Sequence, residues 1–118
     1  MPGPLENALA LPCPQFALIT VPLGVYIGTL DGNLTLDATY PNMTKLDPGG
    51  AHRNVTLDAI ATNSGLTRTI VNGADAAENL VVKNPAGTTI GTVNQNEAGI
   101  FYCDGSTWSL VCIQTIAL

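Results

Sequence analysis

The chain has 118 residues, a length typical of a single domain, and 46% of them are apolar, which excludes a disordered chain. Four Lys and Arg residues stand against nine Asp and Glu residues, so the formal net charge is −5. A chain with so few cations is not expected to bind the phosphate backbone of a nucleic acid.

The N-terminal region is apolar but lacks the basic residues that begin a secretory signal, since the first Lys or Arg is Lys45. Pro12, Pro14 and Pro22 interrupt the apolar stretch, so no run of about 20 residues is available to span a bilayer. The sequence therefore predicts a protein made in the cytoplasm without a signal peptide and with no membrane partner.

Residues 1–15 contain four of the eight prolines, which fix φ and cannot donate to a sheet ladder. This composition predicts an extended arm outside the core. Because the arm is also apolar, we expect it to lie on protein, either on its own domain or on a neighbouring subunit. Its candidate contact residues are Pro4, Leu5, Leu9 and Leu11.

After the arm, short stretches of β-forming residues alternate with turn residues. The predicted strands span residues 16–21, 25–30, 34–38, 54–61, 66–72, 79–83, 88–94, 98–103 and 106–116. Residues 40–52 hold two Pro and two Gly and are predicted to form a long loop. The regular spacing of strands predicts an all-β domain over residues 16–118, a β-sandwich of jelly-roll-like type.

Two features bear on the register of these strands. Asn84-Pro85-Ala86-Gly87 fits a type I turn, which would place Lys83 opposite Thr88 and Val81 opposite Ile90. The segments NLTLDA, from Asn33, and NVTLDA, from Asn54, are alike, but two copies are too few to predict a repeat architecture.

The last two strands are expected to form a hairpin around Asp104-Gly105. A two-residue turn there pairs three positions across the hairpin: Cys103 with Ser106, Phe101 with Trp108, and Glu97 with Cys112. One face would then carry Cys103, Phe101, Trp108, Leu110 and Cys112. The opposite face would carry Ile100, Tyr102, Val111 and Ile113.

Both faces of this hairpin are mostly apolar, whereas a strand exposed on one side should be polar there. One face can pack in the core, and the other needs a second cover. An adjoining subunit is the simplest cover, and a loop or the N-terminal arm is the alternative. Ile100, Tyr102, Val111 and Ile113 are therefore candidate contact residues with a subunit or other protein.

No motif indicates catalysis, a cofactor or a metal ion. His52, the only imidazole, lies in the Pro/Gly-rich loop and is interpreted as a solvated residue. Asp31 and Asp104 are interpreted as turn caps, and Asp37 and Asp58 as polar strand positions. The odd number of cysteines argues against a disulfide framework. Cys103 and Cys112 are expected to be buried, about 20 Å apart along the hairpin at about 3.3 Å per residue.

The second half of the chain resembles small β-sandwich virion proteins of tailed bacteriophages. The resemblance rests on six short motifs: Val55-Leu57, Gly65, Ile70-Asn72, Val81-Val82-Lys83, Gly87-Thr89-Ile90 and Asp104-Gly105-Trp108. This half of the chain is similar to capsid decoration (cement) proteins and to some fibre and tail modules. The resemblance implies no catalytic residues.

As implied by this resemblance, the chain is expected to be a structural virion protein rather than an enzyme. It would bind the capsid exterior as a homotrimer, contact the major capsid protein and stabilise contacts between capsomers. The alternative function is a phage fibre or tail module that binds a host receptor or glycan.

Overall fold

The computed structural model describes residues 23–60 and 64–118, which form nine strands and no α-helix. The strands are β1 (Val25–Thr29), β2 (Leu34–Thr35), β3 (Met43–Asp47), β4 (Arg53–Thr56), β5 (Thr67–Asn72), β6 (Leu80–Lys83), β7 (Thr89–Val93), β8 (Glu97–Cys103) and β9 (Trp108–Thr115). The all-β, sandwich-like fold predicted from the sequence is confirmed. The predicted arm over residues 1–15 and strand over residues 16–21 lie outside the described residues.

The strands form a five-stranded sheet, in the order β1-β3-β5-β8-β9, and a four-stranded sheet, in the order β2-β4-β6-β7. From β1 to β6 the chain alternates between the two sheets, so neighbouring strands within each sheet run parallel. This part winds like the coils of a β-helix. The chain then closes with two antiparallel hairpins, β6–β7 and β8–β9.

The similar segments at Asn33 and Asn54 occupy matching positions in successive coils. Leu34 pairs with Val55, and Thr35 pairs with Thr56. The Asn33 Oδ1 accepts a hydrogen bond from the Asn54 N–H at 2.9 Å, which joins the two coils where the segments begin. The sequence similarity therefore has a structural counterpart, since equivalent residues stack in register.

The predicted loop over residues 40–52 is wrong in its centre, where β3 forms. Thr44 and Leu46 of β3 are buried against the second sheet, while Met43, Lys45 and Asp47 point away from it. The stretch was difficult to recognise as a strand because Pro41 precedes it, Pro48 and two glycines follow it, and only one of its two inward residues is apolar. Two other strands are shorter than predicted. The strand predicted over residues 34–38 is Leu34–Thr35, and the strand predicted over residues 54–61 is Arg53–Thr56.

The turn predicted at Asn84–Gly87 is confirmed, because the Gly87 N–H donates to the Asn84 carbonyl at 2.9 Å. The predicted register across it is wrong. Lys83 pairs with Thr89 and Val81 with Thr92, with a bulge beside Lys83. The Asn84 N–H also donates to the Thr88 carbonyl, so the loop closes one residue later than expected.

The closing hairpin also differs in register from the prediction. Cys103 pairs with Trp108, Phe101 with Leu110, and Ile100 with Cys112. The Asp104 carboxylate accepts hydrogen bonds from the N–H groups of Ser106 and Thr107, each at 2.8 Å, and this makes a four-residue loop instead of a two-residue turn. The same two donors hold the pKa of the Asp104 carboxyl below its usual value.

A second irregularity, a bulge in β9 opposite Ile100 and Phe101, reverses the faces predicted for the end of the strand. Ile113 pairs with the buried Gly99 and packs against the core, so its predicted place on the outer face is wrong. Cys112 lies on the outer side beside Ile100 and is half-buried, not fully buried as expected.

The core lies between the two sheets and includes residues from both. Phe101, Trp108 and Leu36 are among its larger members, and each is at most 2% exposed. The Trp108 indole N–H donates to the Asp58 carbonyl at 2.8 Å, so the ring is both packed and hydrogen-bonded. Gly91 and Gly99 border the Phe101 ring so closely that a Cβ at Gly99 would lie 3.0 Å from it.

Arg68, on β5, is fully buried, and all five of its N–H groups have partners. Its guanidinium forms a two-pronged ion pair with Asp58, with distances of 2.9 and 2.7 Å. The other N–H groups donate to the carbonyls of Asp37, Tyr40 and Pro41, at 2.6 to 3.0 Å. Arg68 thus ties β5 to the segments that follow β2 and β4.

Asn72, at the end of β5, forms a similar buried bridge. Its side-chain amide donates to the carbonyls of Glu78 and Val93, at 2.8 and 2.9 Å. Its Oδ1 accepts from the Ala74 N–H at 2.9 Å. These bonds replace the sheet pairing that ends at this point and fix the segment between β5 and β6.

Candidate interaction surface

The side of the five-stranded sheet that points away from the core is here called the outer face. Because successive side chains on a strand alternate between the two sides, the buried residues of β3, β5 and β8 identify the residues between them as outward. The outer face consists of Val25, Ile27, Thr29, Met43, Lys45, Asp47, Thr67, Thr69, Val71, Ala98, Ile100, Tyr102, Ser109, Cys112 and Gln114.

One row of paired residues crosses the outer face from edge to edge and is almost entirely apolar. It runs through Val25, Met43, Thr69, Ile100 and Cys112, with one residue from each strand. The only polar member is Thr69, whose side chain also carries a methyl group. Continuous apolar rows of this kind are typical of sheet faces that another layer covers.

The neighbouring row extends the apolar surface. It runs through Ile27, Lys45, Val71, Ala98 and Gln114, in which Lys45 is the one charged residue. Four large apolar side chains of the outer face are well exposed to solvent: Val25, Ile27 and Met43 are 39% to 68% exposed, and Tyr102 is 41% exposed. In the described chain, no layer covers this face.

The outward side of the four-stranded sheet has a different chemistry. Its rows contain Thr35, Thr56, Lys83 and Thr89, and then Asn54, Val81 and Thr92. Hydroxyl, amide and ammonium groups make this side suited to water. The two sheets therefore differ in the way expected of a domain that has one solvated side and one side adapted to contact with protein.

The size of the outer face limits what it can bind by itself. Five strands about 4.8 Å apart and about 17 Å long give a footprint of about 400 Å². A standard protein interface buries about 800 Å² of each partner. The outer face is therefore large enough for a subunit contact only when neighbouring residues add to it.

Three of the four hairpin residues predicted for contact are placed on the surface. Ile100 and Tyr102 lie on the outer face, and Val111 is the unpaired residue of the β9 bulge, 56% exposed. Ile113 is the exception, as described above. Pro4, Leu5, Leu9 and Leu11 lie outside the described residues, and the role in contacts of all these residues stays a prediction.

The contribution of β1 and β3 to the same surface does not follow from the sequence pattern. Val25 and Ile27 alternate along a predicted strand and could have been assigned to one face, but their partner strand was not foreseen. Met43 was placed in a loop. Only the register of β1 on β3 and of β3 on β5 joins these residues to Ile100 and Cys112.

The remaining polar side chains of interest fall into three separate sets, around His52, Asp47 and Asp37. His52 is exposed, as expected, and its Nδ1 accepts from the Asn79 N–H at 2.8 Å. The carboxylates of Asp47, Asp75 and Glu78 lie within 4.8 Å of one another. The Asp37 carboxyl accepts from the hydroxyl and N–H of Thr39, and these bonds lower its pKa.

No protein-family model matches the chain. No curated protein is significantly similar to it in sequence. Within residues 23–60 and 64–118, no helix has the length and apolar character required to cross a membrane.

Proposed function

We propose that this chain is a structural protein that assembles through the outer face of its five-stranded sheet. The observation that carries the proposal is the apolar row from Val25 to Cys112, which crosses all five strands and which no layer of residues 23–60 and 64–118 covers. Burial of apolar area contributes about 25 cal/mol per Å². Covering this row therefore gives a second copy or another protein a favourable free energy of association.

The proposed assembly is a homotrimer, which the resemblance to phage virion proteins implies. A footprint of about 400 Å² is half of what a standard interface buries, so additional contacts are needed. Leu5, Leu9 and Leu11 of the apolar N-terminal arm would supply them, in contacts between subunits or with a shell.

As a decoration protein, the trimer would bind the exterior of a phage capsid and contact the major capsid protein across capsomer boundaries. Each copy bound would add buried area that opposes separation of the capsomers. Much of that gain is lost to the cost of association, so several contacts per trimer are needed. The net charge of −5 and the scarcity of cations agree with a protein partner and not a nucleic acid.

The test is binding to capsids that lack this protein, followed by sedimentation of the particles. Wild-type chain is expected to co-sediment, and Tyr102→Asp is expected to bind at least about tenfold more weakly, because a carboxylate would be buried in the contact. The matched control is Thr89→Asp, which places the same charge on the polar side of the other sheet.

A second variant tests the arm. Deletion of residues 1–14 should weaken attachment and leave the melting temperature of the domain unchanged. Full attachment by this truncated chain would contradict the role of the arm. If the chain binds no capsid but does bind host cells or a glycan array, it would be a fibre or tail module and the decoration role would be wrong.

A further inference from the structure

Three carboxylates meet beyond the ends of the parallel strands β3 and β5. Asp47 is the last residue of β3, and Asp75 and Glu78 lie in the segment between β5 and β6. Each contributes one carboxylate oxygen, and these three oxygens lie within 4.8 Å of one another. Because the acids come from two segments that are far apart in the sequence, no local motif marks them.

The backbone around these acids is fixed by hydrogen bonds. The Gly73 N–H donates to the Leu46 carbonyl at 2.9 Å, which holds the start of the β5–β6 segment beside the end of β3. The buried Asn72 side-chain amide donates to the Glu78 carbonyl at 2.8 Å. The fold itself therefore brings the three carboxylates together.

No cationic side chain of the protein forms an ion pair with this cluster. All four Lys and Arg residues of the chain lie in the part that the structure describes: Lys45, Arg53, Arg68 and Lys83. The one ion pair among the described residues joins Arg68 to Asp58. Three carboxylates at this spacing repel one another, and the chain's own cations do not offset that repulsion.

A buried oxygen of Glu78 points independently to a ligand. The Glu78 Oε1 atom is buried, although other atoms of the residue reach the surface, and it has no hydrogen-bond partner among the described residues. A carboxylate oxygen that is removed from water without a partner costs stability. A cation held by the three carboxylates would compensate both this oxygen and the mutual repulsion.

We propose that Asp47, Asp75 and Glu78 form a Ca²⁺ site that joins the end of β3 to the β5–β6 segment. Ca²⁺ takes about six to eight oxygen ligands at about 2.3 to 2.6 Å, so ligands on opposite sides of the ion lie about 5 Å apart. Three carboxylate oxygens within 4.8 Å fit around one such ion, and water or backbone carbonyls would complete its coordination. Mg²⁺ demands a near-ideal octahedron and gives up its water reluctantly, which makes it the poorer match.

Calcium binding to the full-length chain, first freed of metal with EDTA, tests the proposal. Isothermal titration calorimetry should show one Ca²⁺ per chain, with a dissociation constant of about 0.1 to 1 mM, as in other weak Ca²⁺ sites. Addition of 10 mM CaCl₂, about tenfold or more above that constant, should raise the melting temperature by at least about 4 °C. The same concentration of MgCl₂ should raise it by less than about half as much.

Matched variants separate this site from a general effect of salt. Glu78→Gln keeps the size of the side chain but removes a ligand charge, and it should weaken Ca²⁺ binding at least about tenfold. Asp75→Asn, at an exposed position, should do the same and provides the test if Glu78→Gln does not fold. The control is Asp104→Asn, which removes an exposed carboxylate at the opposite end of the five-stranded sheet and should bind Ca²⁺ like the wild type.

Three results would overturn the proposal. Titration without binding heat, together with an unchanged melting temperature, would show that the carboxylates hold no Ca²⁺. An equal shift with Mg²⁺ would show a general response to divalent salt, and unchanged affinity in the folded Glu78→Gln or Asp75→Asn variant would place the ion elsewhere. The site is tested in the isolated chain, so the result does not depend on assembly through the outer face.

Discussion

The buried ion pair of Arg68 and Asp58 allows a quantitative test of how the coils are held together. Arg68→Met keeps an apolar chain of similar length but leaves the Asp58 carboxylate buried at 3% exposure without its partner. Removing one partner of a buried pair costs about 3 to 5 kcal/mol. The carbonyls of Tyr40 and Pro41 would also lose the Arg68 donor, while the Asp37 carbonyl would keep its bond from the Tyr40 N–H.

Urea unfolding followed by Trp108 fluorescence measures this cost. With a slope of about 1.5 kcal/mol per molar urea, the midpoint of Arg68→Met should fall by about 2 to 3 M. The matched control is Arg53→Met, because Arg53 is half-buried and donates from Nε only to the Pro48 carbonyl, at 2.9 Å. Arg53→Met should lose only about 1 kcal/mol of unfolding free energy.

A double-mutant cycle with Asp58→Asn separates the pair from the individual side chains. The double variant should be less destabilised than the sum of the single variants, with a coupling of about 0.5 to 3 kcal/mol. The reasoning is refuted if Arg68→Met loses no more stability than Arg53→Met, since the buried guanidinium would then contribute nothing beyond what the half-buried Arg53 contributes.

Three further predictions concern the core and the closing hairpin. Trp108→Ala should cost about 3 to 5 kcal/mol of unfolding free energy, measured by denaturant titration with circular dichroism, and a change below about 1 kcal/mol would contradict core packing of the indole. Gly99→Ala should cost about 1 to 3 kcal/mol through the clash with the Phe101 ring, whereas Gly32→Ala, with open space around its Cβ, should be close to neutral in the same titration. The Asp104 carboxyl has a lowered pKa in the folded state, so it stabilises the fold above the usual carboxyl pKa of 3.8, and this contribution is lost as the pH falls through the folded-state pKa. Asp104→Asn should therefore lose less unfolding free energy than the wild type between pH 7 and pH 2. An identical pH profile for the two proteins would contradict this reasoning.

Much of the fold follows from local patterns in the sequence. The sequence predicts β1, β5, β6 and β7 because β-forming residues lie between turn residues. The predicted bounds of these strands agree with the observed bounds to within one or two residues. The Asn84–Gly87 turn was predictable from the positions of its Pro and Gly. In each case the information lies within a few consecutive residues.

The register and the buried polar groups could not be predicted in the same way. The bulge in β9 moves Ile113 to the core and Cys112 to the outer face, and nothing local marks the inserted residue. Asp58 follows an alternating segment and was therefore interpreted as a polar strand position. Its burial depends on Arg68, ten residues later in the chain, and on carbonyls from a third segment.

The interaction surface shows the same division. Ile100 and Tyr102 were identified because both sides of a single hairpin are apolar, which is a local observation. Val25 and Met43 join them only through the parallel pairing of β1, β3 and β5 and the antiparallel pairing of β5 with β8, which bring together strands far apart in sequence. Sequence patterns thus located part of the surface, while its full extent required the sheet.

Sedimentation velocity of the purified chain is the most direct test of assembly through the outer face. The wild type should sediment as a trimer at micromolar concentration. Tyr102→Asp should shift to monomer, and Thr89→Asp should remain trimeric. A wild-type chain that stays a monodisperse monomer up to about 100 µM, with Tyr102 open to solvent quenchers, would contradict the account.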